Sequence, residues 1–181
     1  MNYTDIIDRY YPAGTLRRDI YLRHCRSVAD LALEIAGRKC PDLDRAEVEA
    51  AAMLHDIGIF LTDAPDIGCT GKEPYLAHGV LGAQLLRSIG APETWARVAE
   101  RHTGTGITSQ EILSRSLPLP PGDYMPESEL ERLVCYADKF YSKSGTMERK
   151  PREKVRASLA RISEDAAERF DALEKEFGII Y

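Results

Sequence analysis

His55-Asp56-Ile57-Gly58 closes the short apolar run Ala50-Ala51-Ala52-Met53-Leu54 and sets two metal-type ligands side by side. Adjacent side chains on a helix point about 100° apart, so they seldom converge on one small target without cause. An imidazole nitrogen and a carboxylate oxygen placed together can reach one cation, or the carboxylate can bridge two. The dipeptide alone is weak evidence, because His-Asp pairs arise by chance. Its weight depends on where the other histidines fall.

Outward from this stretch the hydrophobic pattern is helical nearly throughout, and no alternating run is long enough to make a useful strand. A short first helix is expected over 3–10, ended by Pro12 and Gly14. A long helix over about 17–39 repeats His24, Val28, Leu31 and Ile35 at spacings of four and three, which is one face. Asp44 with Glu47 resembles a capping box for a helix over 45–57, stopped by Gly58. Residues 58–75 carry Pro65, Gly68, Gly71 and Pro74, too many breakers for a helix, and suit a lid or pocket rim.

A helix over 76–89 presents His78, Leu81, Gly82, Leu85 and Ile89 on one stripe. Pro92 opens the next, with Trp95, Val98, Ala99 and His102 together. Thr108 and Glu111 form a capping box for a short helix, and the proline-rich segment 116–126 is irregular. A helix over 127–142 buries Leu130, Leu133, Val134, Ala137, Asp138 and Tyr141. The last, opened by Pro151 and spanning 152–177, carries Val155, Leu159, Ile162, Ala166, Phe170, Leu173 and Phe177. That stripe suits packing on its own core, with a homodimer as the alternative.

The expected architecture is a single all-α bundle of six or seven helices over 1–181, its core at about 18–145. A chain of 181 residues with 44% hydrophobic and 29% charged content is long enough to bury one core unaided. The net charge of −5 argues against nucleic acid as the main partner. No apolar run approaches the ~20 residues that span a bilayer. The N-terminal residues lack the layout of a secretory signal, so a cytoplasmic location is the default expectation. Cys25, Cys40, Cys69 and Cys135 form no Cys-x-x-Cys pair and read as reduced core cysteines.

All four histidines, His24, His55, His78 and His102, fall on an apolar stripe or at its end. Asp56 and Asp138 share that placement. A lone histidine so placed is more often a neutral core imidazole bonded to a carbonyl. Four of them with two buried acids strain that reading, because each unpaired ionisable group is costly to bury. The economical explanation is that they hold metal. A nitrogen and oxygen donor set without cysteine suits iron, manganese or another divalent ion better than a thiolate-selective site.

The order His24, His55-Asp56, His78, His102, Asp138 resembles the ligand order of the HD-domain phosphohydrolase superfamily, in the subgroup with an extra histidine pair. Gly104-Thr105-Gly106-Ile107-Thr108 is similar to the small HDIG-type members, and Cys135-Tyr136-Ala137-Asp138-Lys139 continues the match. The bacterial HD-type enzyme that splits diadenosine tetraphosphate symmetrically shares the order. The resemblance implies two divalent ions, iron or manganese foremost, with magnesium, nickel, cobalt or zinc as further options. His24, His55, Asp56 and Asp138 would hold the first, Asp56 would bridge, and His78 and His102 would hold the second.

The implied activity is hydrolysis of a nucleotide or another small phosphate ester by metal-activated water. A di-iron oxygenase and a non-catalytic nucleotide-binding module are the alternatives. Many relatives place a lysine just after the glycine, where this chain has Ile59 and Phe60. Candidate phosphate-binding cations are therefore Lys72, Arg101 and Lys139. Asp56, Arg101 and Lys139 are the candidate catalytic residues. Tyr136 and Tyr141, beside Asp138, are the aromatic residues placed to line a pocket.

Overall fold

Leu16–Lys39 (α2) is the longest helix among the described residues, and its inward face is the one the sequence marks: His24, Val28, Leu31 and Ile35 are all buried. The computed structural model describes residues 1–178. Before α2 comes α1 (Tyr3–Tyr10), and after it α3 (Arg45–Leu54), α4 (His78–Ser88), α5 (Glu93–Arg101) and α6 (Ser109–Ser114). The chain continues through α7 (Glu129–Asp138), α8 (Arg152–Ala160) and α9 (Glu164–Phe177). Helices α3 and α7 pack on α2, α5 packs on α3, α4 and α7, and α9 covers α7. The all-α expectation stands, with nine helices among the described residues rather than six or seven.

One additional helix arises where a continuous helix was expected. The stripe over 152–177 is two helices, because the chain breaks after Ala160 and Ser163 caps α9 by accepting from the Ala166 N–H at 3.0 Å. Ile162 falls in that break and is 54% exposed, whereas Val155, Leu159, Phe170, Leu173 and Phe177 are buried in the chain's own core. Ser163→Ala should lower stability by about 1 kcal/mol and the melting midpoint by about 2–4 °C, with Ser163→Gly closer to wild type. Thermal melts followed by circular dichroism would read this.

Capping differs at one more point. Asp44 Oδ1 accepts from the Ala46 and Glu47 N–H groups at 2.7 and 3.1 Å, but the Glu47 carboxylate accepts from the Thr94 hydroxyl. The expected box is half formed, and its other half ties α3 to α5. The Thr108–Glu111 box is complete. On α4 the buried stripe is rotated towards Gly82, Ala83 and Leu86, leaving Leu81 and Leu85 half-buried.

The segment after Gly58 is not formless. Two 3₁₀ turns (Ile59–Leu61 and Tyr75–Ala77) flank an antiparallel ladder of β1 (Asp63–Ala64) and β2 (Cys69–Thr70), paired Asp63 to Thr70 and Ala64 to Cys69, and a third (Pro65–Ile67) connects its strands. Ile59, Ile67 and Cys69 make a small apolar cluster beneath it, and Phe60 stacks on Tyr10 with centroids 5.4 Å apart. All four cysteines are free and buried. Among the described residues no helix is long and apolar enough to cross a membrane.

Candidate metal centre

Helix α3 ends at Leu54, and His55-Asp56-Ile57-Gly58 is a buried turn rather than the last turn of the helix. Gly58 does not stop a helix by adopting a left-handed conformation; its φ is −82°. Its role is close approach. A β-carbon there would lie 2.3 Å from the His78 carbonyl oxygen and 2.4 Å from the Gly82 backbone nitrogen, so only glycine lets α4 pack on the turn. Tyr11 holds the turn from the other side: its hydroxyl donates to the Ile57 carbonyl at 3.2 Å and accepts from the Phe60 N–H at 3.3 Å.

His24 projects from mid-α2, His78 begins α4, His102 follows the last residue of α5, and Asp138 ends α7. Three imidazoles are fixed by one local device. The Nδ1–H groups of His55, His78 and His102 donate to the carbonyls three residues earlier, those of Ala52, Tyr75 and Ala99, at 2.6, 2.6 and 2.8 Å. A carbonyl only accepts, so Nδ1 carries the proton and Nε2 is turned to the centre.

The centre is built around Asp56. Its Oδ1 lies 3.3 Å from both the His78 and His102 Nε2 atoms, which are 3.1 Å from each other. Its Oδ2 lies 3.1 and 3.2 Å from the Nε2 atoms of His24 and His55. Asp138 Oδ1 approaches the same two imidazoles at 3.0 and 3.5 Å. Two donor groups result, His24–His55–Asp56–Asp138 and Asp56–His78–His102, sharing Asp56 and buried throughout.

The donor chemistry fits metal. Lone pairs of His78, His102 and Asp56 Oδ1 converge, Asp56 Oδ1 and His24 Nδ1 have no hydrogen-bond partner, and Asp56 Oδ2 is faced by the Lys143 ammonium at 2.8 Å. Such a gathering is unfavourable unless cations lie between the donors. The cluster is compatible with a dinuclear site, one ion to each group.

The local field agrees. Burial pushes both carboxyls up, but His55 and Lys143 beside Asp56, and Lys139 beside Asp138, hold both well below the usual carboxylate range, and against its own burial His55 is raised well above its ordinary value by Asp56, so the cluster draws positive charge to itself. Burial brings His102 down to about 4, which keeps it a neutral donor.

The candidate cations separate by position. Lys139 Nζ lies 2.7 Å from Asp138 Oδ2 and donates to the His102 carbonyl at 3.0 Å, so it braces a cluster residue. Arg101 is taken by Glu127 at 2.8 Å, Glu131 at 3.4 Å and the Met125 carbonyl. Lys72 is exposed on the segment after β2.

Neither Arg101 nor Lys72 lines the cavity of about 520 Å³ that opens beside Asp138. Tyr141 does line it, whereas Tyr136 is buried and donates to Glu174 at 2.6 Å. Ala64, Ile67 and Tyr75 form part of the cavity's rim, the role expected of the 58–75 segment.

Two lysines on the cavity wall, Lys143 and Lys150, were not among the cations expected from the sequence. Lys143, on the loop after α7, places Nζ 2.8 Å from Asp56 Oδ2 with its side chain 17% exposed. The only local signal was its position five residues beyond Asp138, which gains meaning once the chain is seen to turn back there.

Comparisons with known proteins agree with this geometry. Residues 21–142 match the HD domain family. The chain is 37% identical over 124 residues to a tRNA (cytidine(56)-2'-O)-methyltransferase of Picrophilus torridus, covering 68% of this chain and 32% of the relative. It is 38% identical over 120 residues to an uncharacterized protein of Methanocaldococcus jannaschii, covering 65% and 63%. A second tRNA (cytidine(56)-2'-O)-methyltransferase, from Thermoplasma volcanium, is 33% identical over 169 residues, covering 93% and 44%. The chain thus spans less than two thirds of the length of these relatives. The solved HD domain of the L. monocytogenes phosphodiesterase PgpH superposes with a TM-score of 0.56 at 17% identity, over 98% of this chain and 89% of that one. The same domain in complex with cyclic-di-AMP gives 0.57.

Proposed function

Because this chain belongs to the HD-domain family, we propose that it is a metal-dependent phosphohydrolase of the HDIG type, acting on a nucleotide or another small phosphate ester or anhydride. The observation that carries the reading is Asp56, whose two oxygens each face a different pair of imidazoles. His24, His55, Asp56 and Asp138 would hold one ion, and Asp56, His78 and His102 the other. Divalent ions bound there supply Lewis acidity and a water of lowered pKa. The donor set without thiolate favours manganese or iron.

The chain's own contribution is positioning. The three backbone carbonyls fix the tautomers of His55, His78 and His102, and Lys139 braces Asp138 from outside the cluster. Burial excludes bulk water from one side, while the cavity beside Asp138 admits substrate from the other. Lysines in that cavity favour an anionic substrate, which suits a phosphate compound. The complex of the PgpH HD domain with cyclic-di-AMP puts nucleotides first among compounds to test.

Methyl transfer, which the names of two relatives suggest, finds less support. The chain spans 32% and 44% of those proteins, and its buried cluster offers histidines and carboxylates suited to ions. Elemental analysis of purified protein should find about two divalent ions per chain. A screen over nucleotides, cyclic dinucleotides and dinucleoside polyphosphates with that metal should find turnover. Metal-replete protein that hydrolyses none of a broad panel would sink the proposal, and oxygen consumption by an iron-loaded, coloured protein would replace it.

A further inference from the structure

The positions that follow Gly58 offer no cation, since Ile59 is buried in an apolar cluster and Phe60 is stacked on Tyr10. Positive charge reaches the cavity from the other side, on the loop after α7. That loop is a closed strap: the Lys150 N–H donates to the Phe140 carbonyl at 2.9 Å, and Arg23 holds its middle by donating to the Thr146 carbonyl at 3.0 Å. Lys143 and Lys150 stand near its two ends, and both line the 520 Å³ cavity.

Their surroundings differ. Lys143 is drawn to the cluster by Asp56 at 2.8 Å, with Tyr75 beneath it, 6.0 Å from ammonium to ring centre. A divalent ion between His24, His55, Asp56 and Asp138 would repel that ammonium, and the adjoining cavity gives it room to turn. Lys150 is half-buried and has no acid partner among the described residues. Of the two acids on the cavity wall, Asp138 is engaged by Lys139 and His24, and Asp66 is exposed with no ion pair to Lys150. Burial pushes the Lys150 ammonium down and the Asp138 charge pulls it up. Burial is the larger effect, the ammonium groups of Lys139, Lys143 and Lys154 add to it, and the group is left below its ordinary value. Crowded cations with too few anions are destabilising until an anion joins them.

We propose that Lys143 and Lys150 form a two-point phosphate subsite, so that the substrate presents two linked phosphoryl groups, one beside the cluster at Lys143 and the next at Lys150. The inference rests on the phosphohydrolase reading and narrows it to phosphoanhydrides. Val155, Leu159 and Ile162, on the same wall, offer apolar surface to an organic group beyond the second phosphate.

Calorimetric titration of the metal-loaded full chain with inorganic orthophosphate and with methylenediphosphonate tests this directly. Lys150→Met should weaken methylenediphosphonate binding by about tenfold or more while changing orthophosphate less than about twofold. Lys143→Met should weaken both, with Lys143→Arg and Lys150→Arg recovering most of the loss. Thermal melts and metal content establish that each variant is folded and loaded. Unchanged methylenediphosphonate binding in Lys150→Met, or equal loss of both probes, would overturn the subsite.

The two readings fail separately. The expected binding pattern without turnover of any phosphate compound would leave the subsite standing and remove hydrolysis. Turnover with binding indifferent to both lysines would do the reverse.

Discussion

Asp56→Ala should leave the protein unable to retain either ion, so that metal content falls from about two per chain towards zero. The reason is the shared carboxylate: Oδ1 serves the His78–His102 pair and Oδ2 the His24–His55 pair. Loss of several kcal/mol of charge stabilisation corresponds to a fall in turnover of about a thousandfold or more. His102→Ala removes a donor from one group only, and should therefore cost one ion first. Elemental analysis beside steady-state rates reads both. An Asp56→Ala protein that keeps two ions, or keeps wild-type turnover, would refute the assignment of this carboxylate as the bridge.

The second large effect concerns Gly58 and needs no metal. A β-carbon at this position meets two backbone atoms of α4 at 2.3 and 2.4 Å, and backbone cannot rotate out of the way as a side chain would. Gly58→Ala should cost about 3 kcal/mol or more and lower the melting midpoint by about 6–12 °C. Gly82→Ala is the control, because its β-carbon would sit 3.1 Å from the Gly58 nitrogen and 3.2 Å from Ile57 Cγ2, contacts that a small shift relieves. Its cost should be the smaller of the two. Displacing α4 also moves His78, so the surviving Gly58→Ala protein should lose affinity at the His78–His102 group before the other. Equal melting midpoints for the two variants would show that α4 does not depend on this approach.

Helices α1 to α7 were legible as elements from periodicity and punctuation, although α3 and α7 end at Leu54 and Asp138 rather than at the expected 57 and 142. The break between α8 and α9 was not. The hydrophobic repeat runs on through Ile162, while the Ser163 cap that divides it is a weak local signal until the two helices are seen to pack on each other. The histidine and aspartate placements were legible for a related reason. Ionisable residues on buried stripes contradict the ordinary cost of burial, and that contradiction is visible without coordinates.

The cations were harder to read, because a lysine or arginine near a cluster residue in sequence can point either way. Arg101 sits beside His102 yet pairs with Glu127 and Glu131, whereas Lys143 stands five residues from Asp138 and reaches Asp56. Long charged side chains follow the nearest available counter-charge, and that is set by which helices meet.

The sequence by itself therefore determined the helical class and the buried placement of the four histidines with Asp56 and Asp138, since these depend on local pattern and on the cost of burial. The tertiary structure alone decided which oxygen of Asp56 faces which imidazoles, why Gly58 must be glycine, and which lysines share the cavity. Those are distances between segments far apart in the chain, and local pattern carries no information about them until the core has packed.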